Sequence, residues 1–192
     1  MYKNPSITFS FNVMETNFKG LSLYDFHKLI FENILFFKKN NYETIIAKFF
    51  SEFGDPIIHP EIENLVKTAG SIFDKIDIFT NGNLKSPAWF RKMLETHSDL
   101  YFVFKINRME YKNNFSLKNM IESSHIKYTK WHFDVFDYNY QYLQDAIDFS
   151  EKYGIRLIVR INTKTRSGLN ENNLKMVESV LYKNKTNFLY EK

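Results

Sequence analysis

The sequence predicts an α/β domain built on a parallel sheet, and two observations predict it. Short runs rich in β-branched and aromatic residues alternate strictly with segments of helical periodicity, and the connections between them are only a few residues long. Strict alternation with short connections produces right-handed βαβ units, whose strands lie parallel. Two closures satisfy this pattern: an open doubly wound sheet, or a partial barrel of six βα units.

The first strand is SITFSFNV (6–13). The helix after it, SLYDFHKLIFENILFFKKN, has Ser22 as a cap. Leu23, Phe26, Leu29, Ile30, Ile34 and Phe37 share one of its faces, and Lys38 and Lys39 suit its C-terminal dipole. The second strand, ETIIAKFF (43–50), leads through FGDPIIHP into PEIENLVKTAGSIF, with Pro60 at the helix start and Glu61 and Glu63 in the first turn. KIDIFT (75–80) is the third strand, and SPAWFRKMLETH opens on a Ser-Pro pair that fits an N-cap and first helical position. LYFVFKI (100–106) precedes the short helix FSLKNMIESS. KWHFDVF (130–136) precedes YNYQYLQDAIDFSEKYG, which Gly154 terminates. IRLIVRI (155–161) is followed by a sixth helix, NENNLKMVESVLYKNK, and a stub.

Composition narrows the function classes. A chain of 192 residues supports one sizeable core, so residues 1–192 are expected to form a single domain. With 44% hydrophobic residues, and 20 Phe and 12 Tyr against 6 Gly and 4 Pro, the chain has the apolar content to fold. The net charge of +4 comes from 26 basic and 22 acidic residues without a sustained basic run, which permits an anionic partner without demanding one. The chain has 0 cysteines. That excludes disulfides, a thiol nucleophile, thiolate zinc sites and an iron–sulfur cluster held by this chain's own thiolates. No apolar run reaches about 18 residues and MYKNPSITFS has no signal-like pattern, so a cytoplasmic protein with no membrane partner is expected.

In a parallel α/β fold, chemistry gathers where the strands end and the βα loops begin. Those positions are Ser51 to Pro56 after the second strand, Thr80 to Asn83 after the third, Asn107 and Arg108 after the fourth, Asp137 to Asn139 after the fifth, and Asn162 to Arg166 after the sixth. A turn alone explains Gly54-Asp55-Pro56: glycine supplies a positive φ, aspartate accepts from nearby amides, and proline fixes the exit. His59 before a helix reads as a capping or packing residue. His132 and Asp134 share a strand face by the period of two. The strand phenylalanines read as core rather than as a base-stacking platform.

Gly54-Asp55-Pro56-x-x-His59-Pro60, then a helix, then a strand ending in Thr80-Asn81-Gly82, resembles the core of radical S-adenosylmethionine (radical SAM) enzymes. In that superfamily a Gly-Gly-Glu-Pro or Gly-Asp-Pro stretch ends the second strand and Thr-Asn-Gly the third. Residues 130–155 are also similar to the fifth strand and helix of one Gly-Asp-Pro subgroup. The resemblance implies a (βα)6 partial TIM barrel. It also implies a cofactor pocket at Phe53, Gly54, Asp55, Thr80, Asn81 and Asn107, with the second-strand motif on the amino group of S-adenosylmethionine.

One departure bears on the chemistry. The family holds a four-iron cluster on CxxxCxxC after the first strand, whereas this chain has Asn12 to Gly20 there and no thiolate anywhere. Thioether, carboxylate and amide groups do not replace thiolates for such a cluster. An iron–sulfur cluster is therefore not expected, and S-adenosylmethionine is the one cofactor a remnant pocket would take. The leading expectation is a binding or accessory protein with a peptide or nucleotide ligand, and a partner protein or homodimer on the open side of the barrel. Two alternatives stand beside it. One is a non-radical hydrolase or transferase using Asp55, His132, Asp134 and Lys164. The other is a phosphate or nucleic-acid binder using Arg108, Lys164 and Arg166.

Overall fold

The computed structural model describes residues 6–13, 20–39, 42, 44–96, 98–107, 114–161, 169–184 and 188–191. Strands and helices alternate: β1 (Ser6–Asn12), α1 (Leu23–Lys39), β2 (Thr44–Phe50), α2 (Ile62–Gly70), β3 (Lys75–Thr80), α3 (Pro87–Thr96), β4 (Leu100–Lys105), α4 (Phe115–Ile126), β5 (Lys130–Val135), α5 (Leu143–Lys152), β6 (Arg156–Ile161), α6 (Glu171–Lys183) and β7 (Phe188–Glu191). The strands follow one another in sequence order from β1 to β7, and the described pairings are parallel. A doubly wound sheet reverses its strand order at a switch point. Sequential order without reversal is the winding of a (βα)6 partial barrel, so the second of the two closures is the one adopted.

Contacts group the chain into two units, residues 1–80 with 88–102, and residues 81–87 with 103–192. In the first, one face of β1, β2 and β3 packs on helices. Phe11 lies 5.0 Å from Phe26 of α1 and 5.6 Å from Phe49, ring centre to ring centre, and Ala47, Phe49, Ile76 and Ile78 are fully buried. Burying a phenylalanine such as Phe49 contributes roughly 1.5–3 kcal/mol. The alternate residues mix polar and apolar side chains: Thr8 and Ser10 are exposed, and Lys48 stands beside Asp77 in the β2–β3 register. Ser22 caps α1 as expected, its Oγ accepting from the Asp25 N–H at 3.0 Å and donating to the Asp25 carboxylate at 2.6 Å.

The second unit repeats this division. Trp131, Phe133, Val135, Leu157 and Val159 are fully buried, and the Trp131 indole donates to the Ile106 carbonyl at 3.0 Å. Asn114 and Asn170 cap α4 and α6 by accepting from the N–H groups of Leu117 and Asn173. Gly154, at φ +63°, ends α5 as the sequence predicts.

Three details differ from the sequence expectation. The stub after the sixth helix forms β7, in parallel register with β6. The helix expected from Pro60 begins at Ile62, because Pro56–Ile58 winds a separate 3₁₀ turn. In α1, Phe26 and Ile30 are buried while Leu29 is 43% exposed; the side chains of Ile34 and Phe37 lie outside those described.

Candidate functional site

At the end of β2 the chain turns on Gly54, whose φ of +101° is a left-handed conformation suited to glycine. Asp55 follows in extended conformation and is 2% exposed. Both of its carboxylate oxygens are engaged by the fold. Oδ1 accepts from the Ile57 N–H at 3.1 Å and so caps the 3₁₀ turn, while Oδ2 accepts from Thr80 Oγ1 at 2.7 Å. The structure thus brings together Asp55 and Thr80, 25 residues apart in sequence, as a brace between the ends of β2 and β3. Phe53 is 48% exposed beside this brace.

His59 is buried, and its Nδ1 accepts from the Glu61 N–H at 3.1 Å, which leaves the proton of the neutral ring on Nε2. Burial holds the imidazole below its usual pKa, against the opposing pull of Glu61. The Nε2 edge packs so closely on Gly20 that a Cβ there would overlap the ring. Histidine and glycine together fix the return of the loop that follows β1.

In the second unit, Asn81 is exposed and Gly82 turns at φ +73° under the Phe104 ring, which an added Cβ would approach to 2.6 Å. The buried Asn119 Nδ2 donates to the carbonyls of Gly82 and Lys85 at 2.7 and 2.9 Å and holds this loop in place. Asn107 serves the backbone too: its Oδ1 accepts from the Asp134 N–H at 3.0 Å, and its carbonyl accepts from Asn139 Nδ2 at 2.8 Å.

His132 and Asp134 lie on the same face of β5, as their spacing predicts. Asp134, 8% exposed, accepts from Arg160 Nε at 2.8 Å rather than orienting His132, so the pair is not a histidine–carboxylate relay. Burial lowers the His132 pKa to about 4. Arg160, Lys105 and Lys130 push the same way and Asp134 opposes them. Of the basic loop residues expected to bind phosphate, Arg108, Lys164 and Arg166 lie outside the described residues; so does Lys164 in its other candidate role as a catalytic group.

These shifts have a consequence for stability. With an unfolded value near 6.5, the unfolded chain binds more protons than the folded one between about pH 4 and 6.5. The contribution of neutral His132 is intact above that window and is lost as the pH falls through it. We expect a loss of roughly 1–3 kcal/mol across the window, after allowance for partial exposure. Urea unfolding at several pH values checks this, because a His132→Gln chain should show a flatter dependence than the parent.

Sequence reasoning missed the cations Lys105, Lys130, Arg156 and Arg160. They sit on strands, whereas attention to the loops excludes strand interiors. The period of two that paired His132 with Asp134 was the signal that would have found them.

No protein-family model matches this chain, and no curated protein sequence does. Solved structures do match. SuiB of Streptococcus suis, bound to the precursor peptide SuiA, aligns at a TM-score of 0.71 and 14% identity over 98% of this chain and 49% of that one. SuiB bound to S-adenosylmethionine aligns at 0.67 and 15% over 96% of this chain and 46% of that one. A domain of the pyruvate-formate lyase-activating enzyme from Bacteroides vulgatus aligns at 0.58 and 11% over 78% of this chain and 99% of the domain. This chain spans about half the length of SuiB. The likeness is one of fold: the α/β partial barrel of radical SAM type that the resemblance implied is the architecture adopted here. Among the described residues, no helix is long and apolar enough to cross a membrane, and no group of three His, Cys, Asp or Glu side chains is placed to hold a metal ion.

Proposed function

We propose that this chain is a cluster-free radical SAM-like protein of the Gly-Asp-Pro subgroup, acting as a binding or accessory protein for a peptide or a partner enzyme. The observation that carries this reading is a barrel of radical SAM type on a chain with 0 cysteines. The donors present do not fit the family's cluster, which needs thiolates. The use of Asp55 supports the same reading, since each of its oxygens accepts a hydrogen bond from the fold, from Ile57 and from Thr80. Asp55, part of the motif that the resemblance places at the cofactor's amino group, works here as a structural acceptor.

A peptide ligand accords with one structural neighbour, SuiB bound to its precursor peptide. A macromolecular partner also accords with the sheet, in which, among the described residues, β1 and β7 each pair with one strand and so present edges of the kind proteins commonly cover. For S-adenosylmethionine, the remnant pocket offers no metal to chelate the ligand, and a bulky Phe53 in place of a glycine, so binding is expected to be weak.

Anaerobic reconstitution with iron and sulfide, followed by metal and sulfide analysis, tests the proposal. The expected result is no stoichiometric incorporation, and no saturable heat with S-adenosylmethionine at micromolar concentration. A stoichiometric four-iron cluster would overturn the reading.

A further inference from the structure

The first strand is a sheet edge without the usual protection. Among the described residues β1 pairs with β2 alone, and its residues, Ser6–Asn12, include no charge and no proline. Edge strands that stay in water are commonly short, charged, or interrupted by proline or a bulge. The edge at β7 follows that rule, with four residues ending on Glu191. On β1, exposed Ser6, Thr8 and Ser10 alternate with half-buried Ile7, Phe9 and Phe11, so one row is polar and the other apolar and only partly covered.

The helix above this edge has an uncovered apolar flank. α1 rides over both β1 and β2, its Phe26 ring lying 5.0 Å from Phe11 and 5.6 Å from Phe49. Leu29 and Asn33 border one pocket together with Ser71 at the end of α2, so that flank of α1 faces α2. Phe31 lies about 200° around the helix from Leu29, and Tyr24, two turns earlier, shares its flank on the side of the β1 edge. The two side chains are 75% and 77% exposed. His27 lies between them and the sheet, while Asp25, Lys28 and Glu32 occupy the outermost face and the side toward α2.

We propose that a second copy of this chain covers β1, the two β1 strands pairing antiparallel about a two-fold axis at Thr8. In that register Ser6 faces the partner's Ser10 and Ile7 faces the partner's Phe9, so polar row meets polar row and apolar meets apolar, as a self-complementary interface requires. Each α1 stays over its own β1 and β2, which sets the two helices about three strand spacings, or about 14 Å, apart. Helices in direct contact pack at about 8–10 Å, so large side chains have to fill the difference, and Tyr24 and Phe31 are placed to do so. With the strand edge, these two rings bring roughly 600 Å² from each copy, about what the smaller stable dimers bury. Charge points the same way. The chain carries +4, and β1 is a strip on which two like-charged molecules meet without opposing charges.

Sedimentation equilibrium tests the proposal, with the parent expected to dimerise at a Kd of about 10–100 µM. Thr8→Lys sets two lysines against each other at the axis and should weaken the dimer at least about tenfold. Tyr24→Ser with Phe31→Ser should weaken it about tenfold. Met176→Ser with Tyr182→Ser removes exposed apolar surface on α6 instead and should change Kd by less than about twofold. These are surface changes, so melting points taken at about 1 µM, where the copies are apart, should stay within about 2 °C of the parent and show that the variants fold. Because the chain has 0 cysteines, a single introduced thiol reports the axis. Copper-phenanthroline should link Thr8→Cys chains into a disulfide dimer at least about tenfold faster than Thr96→Cys chains, whose thiol is exposed on α3. A parent that stays monomeric to about 300 µM, a dimer indifferent to Thr8→Lys or to the Tyr24 and Phe31 pair, or equal cross-linking from Thr96 overturns the proposal. A monomer that takes an extended peptide on β1 gives the edge another occupant and overturns it as well. Cluster incorporation would remove the accessory reading and leave this dimer standing.

Discussion

An Asp55→Ala chain is expected to lose about 2–4 kcal/mol of stability, read as an earlier midpoint in urea or a melting point lower by roughly 5–15 °C. Two donors cause the loss. The Ile57 N–H and the Thr80 hydroxyl lie 3.1 and 2.7 Å from the carboxylate in a site where Asp55 itself is 2% exposed, so neither gains water when the acceptor goes. Hydrogen bonds to a charged acceptor are each worth about 1.5–3 kcal/mol, and the truncation also leaves a small void. Asp55→Asn keeps one acceptor oxygen and should lose about half as much. Thr80→Val removes only the donor on β3; combined with Asp55→Ala it should add little, because the two side chains share one bond. A ligand role predicts a different pattern. There, Asp55→Ala would fold with near-parental stability and lose only binding.

The fold was legible because its signals are local and repeated. Strand runs of six to eight residues, helices with one apolar stripe, and Gly154 after the fifth helix each specify an element without reference to the rest of the chain. β7 was not legible. Four residues, Phe188–Glu191, carry too little pattern to separate a strand from a tail, and β6 as a pairing partner decides it. The site was legible only in part. Asp55 and Thr80 could be picked out as loop residues, but their bond joins positions 25 residues apart, and no spacing rule states which oxygen is spent. The strand cations were hidden by a different cause. A lysine between two apolar strand residues looks like ordinary alternation, and only the register that sets Lys130 against Arg156 turns it into a charged face.

Gly20→Ala is expected to cost about 2–4 kcal/mol, and His59→Ala should restore much of the loss when the two are combined. Gly20 needs no unusual backbone conformation. Its constraint is space, because the Nε2 and Cδ2 atoms of His59 occupy the volume that a Cβ would fill. The ring is poorly placed to yield. Its Nδ1 accepts from the Glu61 N–H at 3.1 Å, and swinging aside would orphan that donor at the entry to α2. Overpacking of this kind costs roughly 1–3 kcal/mol, and losing the bond adds about 1 kcal/mol. Chemical denaturation of the parent, both single variants and the double variant gives the coupling energy, expected above about 1.5 kcal/mol. Additive losses would mean that the ring relaxes freely and that the contact constrains nothing. Coupling of the expected size gives the histidine of the FGDPIIHP stretch a physical task. It holds the return of the loop after β1, which the Leu21 N–H also ties back by donating to the Val13 carbonyl at 3.1 Å. In the family this chain resembles, that loop carries the cluster. In this chain the histidine fixes Gly20, where the chain comes back from that loop, by packing against it.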